Sequence, residues 1–238
     1  MKKQPISGRQ YDAMARDYSV DNAESPSNAY YERPATISLL GDVEGVDVLE
    51  AGCGSGPLTE WLVDHGARVT AFDASTEMVR ITRSRVGDRA TLLIADLAEP
   101  LRFAGDSSFN LVIASLVMHY VEDWNSVLSE FHRVLKPEGA VVLSTHHPTM
   151  DWQLHTPEDY FAVKEVTETW RKGGKEFEVT FWRRPLTAMI DAVVTAGFVI
   201  EQLLEPEPQP ELQEVNPAAY ELLRKRPRFL FFRLVPHS

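Results

Sequence analysis

Short apolar runs alternate with helix-spaced patterns along residues 46–147. VDVLEAG at 46–52 predicts a strand ending in glycine. PLTEWLVDHG at 57–66 predicts a helix with Leu58, Trp61 and Leu62 on one face and Gly66 as its stop. RVTAFDAS at 68–75 reads as the next strand, TEMVRITRSRVG at 76–87 as the next helix, and ATLLIAD at 90–96 as a third strand. NLVIASL at 110–116 is nearly all apolar, as a strand buried on both faces must be. WNSVLSEFHRVLKPEG at 124–139 places Val127, Leu128, Phe131, Val134 and Leu135 on a helical core face, with Pro137 and Gly139 closing it. AVVLSTHH at 140–147 is the fifth strand. Strands alternating with helices predict an α/β fold with a doubly wound, mostly parallel sheet.

Beyond residue 147 the pattern changes. KEVTETWRKGGKEFEVTFW at 164–182 is two alternating segments around Gly173-Gly174, the signature of a tight β-hairpin. PLTAMIDAVVTAGF at 185–198 predicts a helix from Pro185 to Gly197, and FVIEQLLEP and RFLFFRLVP predict two late strands. Between them, EPEPQPELQEVNP at 205–217 holds four prolines and reads as an acidic surface connection. The expectation is one domain over 1–238, with a helical N-terminal segment at 1–40 and a cap at 148–184 inserted after strand five.

The most informative segment is VLEAGCGSG at 48–56. Glycines at 52, 54 and 56 between a strand and a helix let the backbone turn sharply and approach a ligand, while the helix N-terminus favours an anionic group. A dinucleotide fingerprint needs its third glycine at 57, where this chain has Pro57. Glu50 precedes the first glycine by two residues.

The segment EAGCGSG resembles the first motif of the class I S-adenosylmethionine-dependent methyltransferases. Further segments match in order: VTAFDAS, LLIADLAEPL, FNLVIASLVMHYVEDW, RVLKPEGAVVLS, FWRRPLTAMIDAVVTAGFVIEQLLEP, and the N-terminal YDAMARDYS. The resemblance runs from about residue 11 to the C-terminus and is nearest to the small-molecule, quinone-biosynthesis-like group. It implies a Rossmann-like, seven-stranded sheet, S-adenosyl-L-methionine as cofactor and S-adenosyl-L-homocysteine as product. Gly52, Gly54 and Gly56 would form the cofactor loop, Asp73 with Ala74 the ribose site, and Asp96 with Leu97 the adenine site.

The residue chemistry agrees. The cofactor's methionine carboxylate suits a glycine loop at a helix N-terminus, and a carboxylate at 73 can accept both ribose hydroxyls. Ser115, ending strand four, can contact the methionine end. Plainer readings stand beside these. Asp73 and Asp96 could cap helices or turns, Ser115 could simply pack, and Glu50 could support the loop from behind. Tyr18, with Tyr11, could wall the cleft or form the apolar stripe of a surface helix. Cys53, the chain's one cysteine, reads as an inert part of the loop and excludes a disulfide framework.

An acceptor belongs outside the carboxyl ends of strands four and five. His119, His146 and His147 fall there and are the candidate base or acceptor-binding groups. Alternation along a strand lets only one of His146 and His147 share the site with His119, unless the strand has already ended there. His155 and Asp151 follow closely, but no ligand spacing forms, so no metal is expected.

Lys plus Arg is 24 and Asp plus Glu 35, a formal net charge of −11, which disfavours nucleic acid as partner. The cap residues 158–184 balance six acids against six bases, and Trp152, Tyr160, Phe161, Trp170, Phe177, Phe181 and Trp182 make the region aromatic. A flat or apolar small molecule matches such a surface, although a hairpin also buries aromatics for its own sake. The longest apolar run, LVIASLVM, falls short of the ~20 residues of a membrane span. The expectation is a cytoplasmic small-molecule methyltransferase, monomeric or homodimeric, acting on O or N before C. The alternatives are a tRNA or other nucleic-acid methyltransferase, or a non-catalytic cofactor-binding partner subunit.

Overall fold

The computed structural model describes residues 5–155 and 159–237. Helix α1 (Ile6–Glu24) leads through a π-helical turn (Asn28–Glu32) into α2 (Arg33–Ser38). Then β1 (Asp47–Ala51), α3 (Pro57–Asp64), β2 (Arg68–Asp73), α4 (Thr76–Val86), β3 (Thr91–Ile94) and β4 (Phe109–Ala114) alternate. A 3₁₀ turn (Met118–Tyr120), α5 (Trp124–Val134), β5 (Leu135–His146) and α6 (Pro148–Leu154) follow. The hairpin β6 (Lys164–Lys172) and β7 (Lys175–Arg183) precedes α7 (Leu186–Thr195) and β8 (Phe198–Leu204). Two short helices, α8 (Leu212–Val215) and α9 (Pro217–Leu223), and the last strand β9 (Phe229–Pro236) end the chain.

The seven-stranded sheet has the order β3-β2-β1-β4-β5-β9-β8, and β6-β7 form a separate two-stranded sheet. The first five strands pair in parallel, while β9 is antiparallel to both β5 and β8. The order reverses between β1 and β4, which opens a crevice at their carboxyl ends.

Strand alternation divides the core in two. Leu49, Val112, Val141 and Leu143 pack on one face with Val127, Leu128 and Phe131 of α5 and Met189 and Val193 of α7. Val48, Ile113 and Val142 pack on the other with Leu58 and Leu62 of α3 and Val79 of α4. Burial on both faces is what the apolar run of β4 predicted. The helices start where their caps dictate: Ser75 accepts Met78 N–H, and Asp123 accepts Asn125 and Ser126 N–H.

One boundary differs from expectation. The helix expected to reach Gly139 stops at Val134, and β5 begins at Leu135. Pro137 cannot continue a helix and pushes the preceding residue toward extended backbone. Leu135 pairs with Phe109, ahead of a register shift toward Leu111. Gly139 is therefore no helix stop; a Cβ there would lie 2.7 Å from the Asn110 carbonyl oxygen, so glycine permits the strand pairing.

In the hairpin, Gly173 and Gly174 have φ of +55° and +76°, the paired positive values that a two-residue turn requires. Among the described residues no helix is long and apolar enough to cross a membrane.

Candidate active site

The loop after β1 forms one wall of a cleft at the sheet's switch point. Gly52, Gly54 and Gly56 have φ of +75°, +55° and +84°. A Cβ on Gly52 would stand 2.5 Å from Val117. A Cβ on Gly54 would meet nothing within 4 Å, so the backbone there is open to a ligand. Pro57 occupies the first turn of α3, whose unpaired N–H groups make the loop's end electropositive.

Asp73 closes the loop from β2. Its Oδ2 accepts the Gly54 N–H at 2.9 Å and its Oδ1 accepts the Ser75 N–H at 2.8 Å. Burial pushes its carboxyl up to about 6, against the pull of those two donors. Ala74 lines the cleft beside it, as do Asp96 and Leu97. Asp96 also accepts the Ala98 N–H at 3.0 Å, so turn capping and cleft lining coincide in one residue. Glu50 is 3% exposed and accepts the Thr59 hydroxyl at 2.7 Å, which braces α3 against β1. Burial pushes the Glu50 carboxyl up to about 8, so it is mostly protonated at neutral pH.

The N-terminal segment covers the cleft. Tyr11 and Tyr18 both line it, and the Tyr11 and Tyr120 hydroxyls are 2.6 Å apart. Burial keeps these phenols protonated; Tyr18 is pushed up to about 12. Ser115 lines the cleft and donates its hydroxyl to Glu32 Oε1 at 2.7 Å. The same Glu32 oxygen accepts Thr36 at 2.7 Å and Ser144 at 2.6 Å.

Glu32 and its neighbour Arg33 lie in no motif, so spacing along the chain does not mark them as cleft residues. Arg33 is the only cation among the described residues lining the cleft. Burial lowers its pKa, the Glu32 carboxylate opposes that shift, and its guanidinium donates to the Asn22 carbonyl at 3.5 Å. The π-helical turn just before it was equally invisible; such turns often mark functional sites. Leu116, also lining the cleft, has φ of +46°. Its N–H is held by the Ser144 carbonyl at 3.1 Å and the Ser144 hydroxyl at 2.9 Å, which sustains a conformation costing about 1–2 kcal/mol.

The histidines separate. His119 is 3% exposed, and its ring stacks on His146 with centroids 3.9 Å apart. Burial drives the His119 pKa well below its ordinary value, with His146 and Arg184 adding to the effect, so the ring stays neutral. Its Nδ1 has no hydrogen-bond partner among the described residues. His146 Nδ1 lies 3.3 Å from Asp151 Oδ1. Phe181 of β7 covers both rings edge-on. His147 does something else: its Nδ1 accepts the Thr149 N–H as the cap of α6, and its Nε2 lies 2.7 Å from Glu205. None of the three is in the cleft wall itself; His119 meets it through the adjacent ring of Tyr120, centroids 4.3 Å apart. Among the described residues no group of three or more His, Cys, Asp or Glu side chains could hold a metal ion.

Comparison with known proteins agrees with this geometry. Residues 49–143 match a family described as a methyltransferase domain. The chain is similar to an S-adenosylmethionine dependent methyltransferase from Mesorhizobium loti, at 28% identity and TM-score 0.68, covering 85% of this chain and 96% of the other. A second solved structure, a putative S-adenosylmethionine dependent methyltransferase from Listeria monocytogenes, is 26% identical at TM-score 0.71, covering 87% and 97%. A malonyl-[acyl-carrier protein] O-methyltransferase of Pseudescherichia vulneris is 36% identical over 109 residues, 46% of this chain and 42% of that relative's length. The match thus spans less than half of that relative.

Proposed function

We propose, from the premise that this chain is a class I S-adenosylmethionine-dependent methyltransferase, that its acceptor is a small molecule methylated on oxygen or nitrogen in preference to carbon. The observation that carries the reading is the cleft's charge: Arg33 is its only cation among the described residues, beside Glu32, Glu50, Asp73, Asp96 and Glu165. A nucleic-acid strand needs several cations along its path. The oxygen preference draws support from the P. vulneris relative, an O-methyltransferase by name.

When bound, S-adenosyl-L-methionine supplies an electrophilic methyl group on a sulfonium with a neutral thioether leaving group. The residues suit that cofactor by type. Arg33 and the N-terminus of α3 would hold the methionine carboxylate. Ser115, its own proton engaged by Glu32, keeps lone pairs for the methionine ammonium. Asp73 accepts the Gly54 N–H on one oxygen and the Ser75 N–H on the other, and its carboxylate, lining the cleft, would face the ribose hydroxyls. Asp96 and Leu97 would take the adenine. Gly52, Gly54 and Gly56 let the loop approach, Glu50 braces it from behind, and Tyr18 walls the opposite side.

On the acceptor side, positioning supplies most of the rate in such a displacement. His119, neutral and stacked on His146, is the candidate base, with the His146–Asp151 pair behind it. His147 is assigned to capping instead. The protein carries out the transfer alone rather than serving as an inactive subunit. The test is incubation with methyl-labelled cofactor and separate pools of small metabolites and tRNA. Label entering a small molecule is expected. Label entering tRNA alone, or no transfer with any pool, overturns the reading.

A further inference from the structure

Helix α1 belongs to both halves of the site. Toward the cofactor, Asp12 Oδ1 accepts the Ser75 hydroxyl at 2.6 Å and the Glu77 N–H at 3.0 Å. Those partners open α4, immediately after Asp73 and Ala74. Toward the hairpin, Gln10 Nε2 donates to the Thr180 hydroxyl while Gln10 Oε1 accepts the Thr180 N–H, both at 3.2 Å. Further along the same helix, Asp17 pairs with Lys175 at 3.0 Å and Asp21 with Lys172 at 3.3 Å. The hairpin turn is seated against α1: a Cβ on Gly173 would lie 2.6 Å from Asp17 Oδ1. The Lys172 ammonium also stands 5.8 Å over the ring of Tyr18, which lines the cleft.

Exposed ion pairs are weak singly. Here they lie in series on one helix with a two-point amide contact and a close-packed turn. The helix cannot leave the cleft without breaking them or carrying the hairpin with it. We infer that Asp12, Gln10, Asp17 and Asp21 are positioning residues that join α1 and the hairpin into one cover, so that cofactor binding orders the acceptor-side hairpin. The inference rests on reading the hairpin as the closure of the acceptor site. Coupling of this kind is reciprocal, so an acceptor held under the hairpin tightens the cofactor equally.

The test needs no acceptor. Hydrogen exchange is followed at amides 171–176 of the turn in the full chain, with and without S-adenosyl-L-homocysteine. None of these residues lines the cleft, so bound ligand does not shield them by contact. Exchange at the turn is expected to slow about fivefold or more on binding, the low end for coupled sites. Asp17→Ala/Asp21→Ala is expected to bind S-adenosyl-L-homocysteine within about fivefold of the parent, since exposed pairs contribute little, and to lose the added protection. Asp17→Glu/Asp21→Glu should restore part of it. If the alanine variant does not fold, Lys172→Ala/Lys175→Ala breaks the same ties from the hairpin side. Turn amides indifferent to bound ligand in the parent, or protection retained in a folded double variant, would overturn the coupling alone. A parent chain that binds no S-adenosyl-L-homocysteine would overturn the cleft assignment and the coupling with it.

Discussion

Asp73 Oδ2 accepts the Gly54 N–H at 2.9 Å, so the acid ending β2 holds the middle glycine of the loop that ends β1. One carboxylate thereby shapes the loop and faces the cleft. Asp73→Ala is expected to weaken S-adenosyl-L-homocysteine binding by about 1.5–3 kcal/mol, the worth of charged hydrogen bonds, read by calorimetry. Unchanged affinity in a folded variant would remove Asp73 from the ribose site.

The same group sets a pH dependence. Burial holds its carboxyl up to about 6, and only the ionised form accepts hydroxyl donors with both oxygens. Affinity is therefore expected to be full above pH 6 and to fall as the pH drops through it, by up to about tenfold per unit. Calorimetric titrations between pH 5 and 7.5 check this, and a flat profile counts against it.

Glu50 predicts a stability effect of opposite sense to the usual carboxylate. Its folded pKa is about 8 against an ordinary 4.5, so the folded state binds a proton that the unfolded state releases. Stability is fully present below 4.5 and declines as the pH rises toward 8. The decline is at most about 1.4 kcal/mol per pH unit. Glu50→Gln keeps the neutral form and an acceptor for the Thr59 hydroxyl. It is expected to flatten the profile of Tm against pH between 5 and 8. A variant whose Tm still falls as steeply would locate the cause elsewhere.

Among the described residues the Arg33 guanidinium makes one long hydrogen bond, to the Asn22 carbonyl at 3.5 Å. Arg33→Ala is expected to leave Tm nearly unchanged and to weaken cofactor-product binding by about 1.5–3 kcal/mol. A drop in Tm with unaltered affinity would make it a packing residue.

The three histidines should separate by readout. His147→Ala removes the α6 cap and should lower stability by about 0.5–2 kcal/mol, with turnover largely kept. His119→Ala should leave cofactor affinity intact and reduce turnover by about 10²–10⁴-fold if the ring is a base. His146→Ala should fall between, through loss of the stacked partner. Near-normal turnover in the His119 variant would leave positioning as the whole of catalysis and point to an acceptor already ionised.

Much of this protein was legible residue by residue. The period of apolar positions announced the seven strands of the sheet and helices α3, α4, α5 and α7, because burial on a helix face or a strand face is a local property of sequence spacing. The hairpin was legible in Gly173-Gly174, and the loop in Gly52, Gly54 and Gly56, because positive φ restricts residue choice wherever it occurs. Asp73 was singled out by the resemblance of VTAFDAS to a family motif, and the structure places it at the end of β2 lining the cleft. The end of α5 departs from its local pattern: Pro137 and Gly139 suggest a helix stop, whereas pairing with β4 claims the chain at Leu135.

What spacing could not supply is contact between residues far apart in the chain. Glu32 meets Ser115 across 83 residues and Ser144 across 112, and Gln10 meets Thr180 across 170. Nothing in a local pattern distinguishes these side chains from surface polar residues. The same holds for Arg33 as the cleft's cation, for the His119–His146 stack, and for His147 as a cap rather than a cleft residue. Sequence alone determined the elements and the glycine loop, since each follows from backbone limits and periodic burial, while the kind of cofactor followed from the resemblance of the ordered motifs to a known family. Tertiary structure alone decided which charges are buried, which phenols and imidazoles meet, and that α1 and the hairpin share one set of ties. Those depend on packing, where a side chain's pKa and partners are set by neighbours that only the folded chain brings within hydrogen-bond distance.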